Sequence, residues 1–145
     1  LGVTIVESHA GGVAALAPRW NGRCDRVLVD APYSNLGVLR RNPEVKWRRT
    51  EEDLRRLQQK QRTILASAAA MAKPGGVLVY ATCSPEPEEN EDVVMPFLAA
   101  HPDWAMDAPA EFLVPPDAHG MVRLFPHRHG TDAFTAVRLR RRGRG

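Results

Sequence analysis

Two short runs carry residue types that do chemistry: Asp30-Ala31-Pro32-Tyr33 and Thr82-Cys83-Ser84. Asp30 supplies a carboxylate that can hold or exchange a proton, and Cys83 a thiol whose thiolate is a strong nucleophile. Each run follows a short apolar segment, Arg26 to Val29 in one case and Val77 to Ala81 in the other, and both segments read as strands. If these strands lie parallel and adjacent, the two turns share one cleft, where an acid and a thiol face a common substrate. That geometry suits chemistry on a planar ring. Cys24, the second cysteine, precedes a strand and reads as core packing. A cysteine at a strand end is commonly a small buried hydrophobe.

The elements that must position these residues are legible as a pattern. Val3 to Val6 reads as a first strand, ahead of the two already named. Thr50 with Asp53 three residues on predicts a capping box. Leu54, Leu57, Ile64, Leu65, Ala68 and Ala72 then recur at helical spacing, and Lys73-Pro74-Gly75-Gly76 is expected to stop the helix. Strand, long helix, strand is the signature of a βαβ unit. A second helix is expected after the third strand, with Pro87 in its first turn and Glu88, Glu89, Glu91 and Asp92 where the helix dipole favours acids. Pro96 should kink it or end it early. Residues 102–131, rich in proline, glycine and histidine, read as loop around short strands, and Phe134 to Leu139 as a last strand. The expected fold class is α/β, an open, mostly parallel sheet flanked by helices, with ligands beyond the carboxyl ends of its strands.

Composition narrows the class further. A chain of 145 residues, 43% hydrophobic and 26% charged, fits one globular domain. No run of eighteen apolar residues occurs and the start Leu-Gly-Val-Thr-Ile-Val-Glu-Ser lacks the basic region of a secretory signal, so a cytoplasmic protein with no membrane helix is expected. Two cysteines far apart build neither a disulfide framework nor a cysteine-rich metal site, and no metal is expected. The net charge of +3 is unevenly placed. Residues 138–145 hold five arginines and no acid, while the rest of the chain carries 15 basic against 17 acidic groups. The expected division is therefore a globular part over 1–137 and an arginine-rich tail over 138–145, either solvated or touching RNA phosphates.

Three segments resemble the Sun (Fmu) type of RNA 5-methylcytosine methyltransferases. Residues 25–47, DRVLVDAPYSNLGVLRRNPEVKW, resemble the family's motif IV; residues 73–91, KPGGVLVYATCSPEPEENE, its motif VI; residues 126–134, PHRHGTDAF, its closing segment. The resemblance implies a Rossmann-like fold, S-adenosylmethionine as cofactor, and RNA as partner, ribosomal RNA first and transfer RNA next. It also implies the mechanism. Carbon 5 of cytosine is a poor nucleophile until a thiolate adds to carbon 6, so the resemblance assigns Cys83 as nucleophile and Asp30 as the acid that stabilises the adduct. Asp30, Pro32 and His9 fall where the family binds its cofactor. His9 takes the place of an expected acid at the end of the first strand, and a solvent-facing histidine is the alternative reading. Tyr33, Arg40, Arg41 and Lys46 are the candidate RNA contacts; with Arg48 and Arg49 they face Glu44 alone, and Trp47 beside them reads as core or as a stacking platform.

The departures matter equally. Tyr33 stands where the family carries a second cysteine linked to product release, and Asn35, Leu36 and Asn42 replace its glycine, threonine and histidine. Gly11-Gly12 lacks the rest of a glycine-rich cofactor turn. That turn, a ribose-binding acid and a catalytic lysine lie, in the family, before the point matching Leu1, so the chain is expected to be the C-terminal part of a catalytic domain with an incomplete cofactor pocket. A second reading takes Asp30-Ala31-Pro32-Tyr33 as a variant of the D-P-P-Y motif of enzymes that methylate exocyclic amines, with Tyr33 stacked on a flipped base. A third takes the chain as a catalytically silent RNA-binding remnant.

Overall fold

A computed structural model describes residues 2, 4–38, 50–108 and 114–143. In chain order the elements are α1 (Val13–Trp20), β1 (Cys24–Asp30), a 3-10 turn at Leu36–Val38, α2 (Glu51–Met71), β2 (Ala72–Thr82), a 3-10 turn at Pro87–Glu89, α3 (Glu91–Ala100), β3 (Trp104–Met106), β4 (Val122–Leu124), the single turn α4 (Pro126–His129) and β5 (Phe134–Arg141). The sheet runs in the order β1-β2-β5-β3, with β4 also paired to β5.

The α/β expectation holds, and the long helix begins where the capping box placed it. The Thr50 hydroxyl accepts from the Asp53 N–H at 3.2 Å while the Asp53 carboxylate accepts from the Thr50 N–H at 3.0 Å. Strand directions differ from expectation. β1 and β2 are parallel, but β5 pairs antiparallel with β2, β3 and β4, so the described sheet is mixed rather than mostly parallel. The returning segment after α3 closes onto β2 from the opposite direction and needs no crossover helix.

Register sets the core. Leu78 lies opposite Val27 and Leu139, Tyr80 opposite Val29 and Val137, and Thr82 opposite Thr135, which by strand alternation puts them on one face. Leu65, Ala68 and Ala69 of α2 and Val93, Val94 and Phe97 of α3 join that cluster. The opposite face is open at β1, where Leu28 is 73% exposed.

Several local expectations are corrected. The expected first strand is not found in its described part: residues 4–10 form no ladder, and Ile5 and Val6 are 93% and 70% exposed, while Val3 lies outside the described residues. An apolar run is a strand only when a neighbour accepts its backbone hydrogen bonds, and among the described residues β1 pairs solely with β2. Helix α1, which no periodic signal marked, packs against α2 instead. Helix α2 already ends at Met71, and Lys73-Pro74-Gly75-Gly76 forms an irregularity inside β2, since Cys24 faces Ala72 while Arg26 faces Val77. Gly75 has φ +79°, and a side chain on Gly76 would meet the Lys73 carbonyl at 2.8 Å, which is why glycines stand there.

Helix α3 runs through Pro96 without ending. A mid-helix proline orphans the carbonyl four residues back, here that of Asp92. Arg62 of α2 fills the vacancy, donating to it from Nε at 3.2 Å and Nη2 at 2.8 Å. β5 extends through Arg141, so three of the five terminal arginines belong to a strand. Asp107 pairs with Arg138 and Arg140, and Asp103 with Arg141. No described helix is long and apolar enough to cross a membrane.

Candidate active site

The parallel pairing of β1 and β2 brings the two chemical runs together. Asp30 faces Ala81 across the ladder, and the Ala31 N–H donates to the Ala81 carbonyl at 2.9 Å, extending the pairing one residue beyond β1. Asp30 is exposed, and Tyr33 and Cys83 are half-buried. The Tyr33 phenol lies beside the Cys83 side chain. Burial first, then the neighbouring Cys83, Asp30 and Asp132, push the Tyr33 phenol above its ordinary pKa of 10. Tyr33 is therefore a neutral group that keeps its proton at physiological pH.

Behind the cleft lies a buried polar network that sequence reasoning left unassigned. Glu89 is fully buried. Its Oε1 accepts from the Ser34 N–H at 2.7 Å and from Gln61 Nε2 at 3.1 Å, and its Oε2 from the Ser34 hydroxyl at 2.6 Å. Gln61 also donates to the Pro32 carbonyl at 2.9 Å, and Tyr80 to the Glu89 carbonyl at 2.9 Å. The next residue, Asn90, grips the other loop: its Nδ2 donates to the carbonyls of Ser84 at 3.0 Å and Glu86 at 2.8 Å, and its Oδ1 accepts from the Thr82 hydroxyl at 2.7 Å. The Thr135 hydroxyl donates to the same Ser84 carbonyl at 3.0 Å. Such groups are retained in a core only when their hydrogen bonds are made. The Pro-Glu-Glu-Asn-Glu run was visible in the sequence, but nothing local linked it to Ser34 or Gln61.

The remaining candidates separate. Asp132, in the closing segment, is a site neighbour that the sequence did not single out; it acts electrostatically on Tyr33. His9 does not join the cleft. It contacts Glu7 at 2.7 Å and meets the Trp20 ring edge-on at 6.3 Å, in a groove with Cys24 and Met71 at the amino end of β1, opposite Asp30. Because residues 4–10 form no strand, His9 has no strand-end position in the sheet. Cys24 is half-buried in the wall of that groove rather than sealed in the core. Arg40, Arg41 and Lys46, with Trp47, Arg48 and Arg49, lie outside the described residues. No cluster of three metal-ligating side chains occurs among the described residues.

An acid, a neutral phenol and a thiol thus meet at the carboxyl ends of two parallel strands. Residues 2–140 match the family described as 16S rRNA methyltransferase RsmB/F. The chain belongs to that family. The family is one of S-adenosylmethionine-dependent methyltransferases. Ribosomal RNA small subunit methyltransferase B of Klebsiella pneumoniae is 43% identical over 122 residues, covering 84% of the chain and 27% of the relative. The protein of the same name from Shewanella oneidensis is 39% identical over 130 residues, covering 89% and 30%. Among solved structures, NSun6 from Pyrococcus horikoshii with SFG superposes with a TM-score of 0.75 at 30% identity, covering 88% of the chain and 33% of that structure. The chain therefore spans about a third or less of these three proteins.

Proposed function

We propose that this chain carries the nucleophile side of an active site that methylates carbon 5 of cytosine in RNA, ribosomal RNA first among substrates. The observation that supports this reading is the meeting of Asp30, Tyr33 and Cys83 at adjacent carboxyl strand ends, in a member of a ribosomal RNA methyltransferase family. In this reading the Cys83 thiolate adds to carbon 6 of the ring, and the ring electrons move to carbon 5. Asp30, exposed at the carboxyl end of β1, acts as the acid at the ring nitrogen, giving it a proton as the thiolate adds so that the adduct is a neutral enamine. S-adenosylmethionine, when bound, supplies an electrophilic methyl group. Asp30 and Pro32, at the carboxyl end of β1, fit a place beside it, whereas His9 does not. After carbon 5 is methylated, its proton passes to a solvent base, those electrons re-form the double bond between carbons 5 and 6 as the carbon–sulfur bond breaks, Cys83 leaves as thiolate, and the nitrogen proton returns to Asp30.

The test is a product analysis. The protein carrying this chain, supplied with S-adenosylmethionine and small-subunit ribosomal RNA, is expected to yield 5-methylcytosine on nucleoside digestion. Methyl found on the exocyclic nitrogen would transfer the assignment to the amine reading. RNA binding with no methyl product would leave a silent binding module.

A further inference from the structure

Glu89 and Asn90 are consecutive in the chain, yet each holds a different loop of the cleft. Glu89 takes the loop after β1, gripping Ser34 through both its N–H and its hydroxyl, at 2.7 and 2.6 Å. Asn90 takes the loop after β2, gripping the backbone on both sides of the Cys83 turn through Thr82, Ser84 and Glu86. Both side chains are buried, at 0% and 1% exposure, and the Tyr80 hydroxyl anchors the Glu89 carbonyl to β2. Gln61, reaching from α2, braces Glu89 and the Pro32 carbonyl together. This dipeptide and its braces therefore tie the two loops to each other, with the Thr135 hydroxyl as a further hold on the Ser84 carbonyl. A helix or strand would fix such a distance through its own backbone, but these turns have no ladder beyond Ala31.

We propose that Glu89 and Asn90 are positioning residues that set the spacing between the Asp30–Tyr33 loop and Cys83. The consequence for catalysis rests on the function proposed above; the geometric claim does not. Ser34 and Glu89 act as one unit although 55 residues apart. Misplacing a nucleophile by a fraction of an ångström lowers the rate of the chemical step while leaving substrate binding nearly intact.

Two measurements test this. The first needs no methyl transfer: in a Tyr33→Cys, Cys24→Ser background, dibromobimane bridges the introduced thiol to Cys83 and becomes fluorescent. Glu89→Ala should slow bridging by about tenfold or more, and Glu89→Gln, which keeps an acceptor for Ser34, should restore most of it. The second is the split between kcat and KM for RNA in the protein carrying this chain, well below the melting temperature of each variant. Glu89→Ala should lower kcat by about tenfold or more with KM within about twofold, and adding Ser34→Ala should lower it little further. If Glu89→Ala does not fold, Ser34→Ala alone carries both measurements. Unchanged bridging would overturn the proposal, as would slowed bridging with unchanged kcat in an active enzyme. Slowed bridging in a protein that never methylates cytosine would uphold the spacing role and overturn the function reading instead.

Discussion

Tyr33, three residues past the end of β1, lies beside Cys83, one residue past the end of β2. Both tyrosines of the chain have phenols raised above 10, Tyr33 by burial and then by Cys83, Asp30 and Asp132, and Tyr80 by burial and then by Glu89. In an alkaline spectrophotometric titration neither should reach half ionisation at pH 10, and Cys83→Ala should bring Tyr33 down toward it. The sign of the linkage follows: a phenol raised in the folded state contributes stability below pH 10 and loses it as pH rises beyond, toward its folded value.

Cys83→Ala should abolish methyl transfer outright, since without addition at carbon 6 nothing activates carbon 5. The wild type should accumulate a covalent RNA adduct that survives denaturation, because a phenol near pKa 10 is a poorer proton acceptor at neutral pH than a thiol near 8.5. Tyr33→Cys should then reduce the adduct and raise turnover. Denaturing gels of labelled RNA check all three: an adduct persisting in Cys83→Ala would refute the nucleophile.

Arg62 should matter in proportion to Pro96. Its guanidinium serves the Asp92 carbonyl that the proline leaves unpaired. Arg62→Ala should cost about 1 kcal/mol in urea unfolding. Pro96→Ala restores a helical N–H for that carbonyl, so the double variant should lose less than the sum of the single changes.

The acid limb of stability should depend on Asp117. Burial alone would raise its pKa, but hydrogen bonds from Arg123 and from the N–H groups of Met121 and His119 bring it below the ordinary carboxylate value. Arg123 also binds Glu91 at the start of α3. A carboxylate lowered in the folded state stabilises above its unfolded pKa, near 3.9, and that contribution fades as pH falls through the folded value. Asp117→Asn should flatten the fall in urea midpoint below about pH 4.

Thr50→Ala removes one half of the capping box that starts α2 and should cost about 1 kcal/mol, read as a shift in urea midpoint at constant slope.

What the sequence by itself determined was written in short-range terms. Thr50 and Asp53 mark the start of α2 because their reciprocal bonds close within one helical turn. The segments around Val29, Leu78 and Val137 read as strands because each is a short apolar run too brief for a helix and bounded by turn residues. The juxtaposition of Asp30 and Cys83 was legible too, since two parallel neighbours connected by a helix present their carboxyl ends on the same side. Tertiary structure decided the rest. The run at Val3 to Val6 has the composition of a strand, but its described residues, from Thr4 on, join no ladder among the described residues, and His9 lost its strand-end place with it. Pro96 reads as a helix breaker until Arg62, 34 positions earlier in the sequence, supplies the donor it lacks. Glu89 reads as one more acid in a helix start, yet it is sealed in the core by Ser34 and Gln61. The physical reason is common to all of these: a backbone group or a buried carboxylate must be hydrogen-bonded, and for these residues the partner is chosen by packing across long sequence separations, where no local periodicity records it.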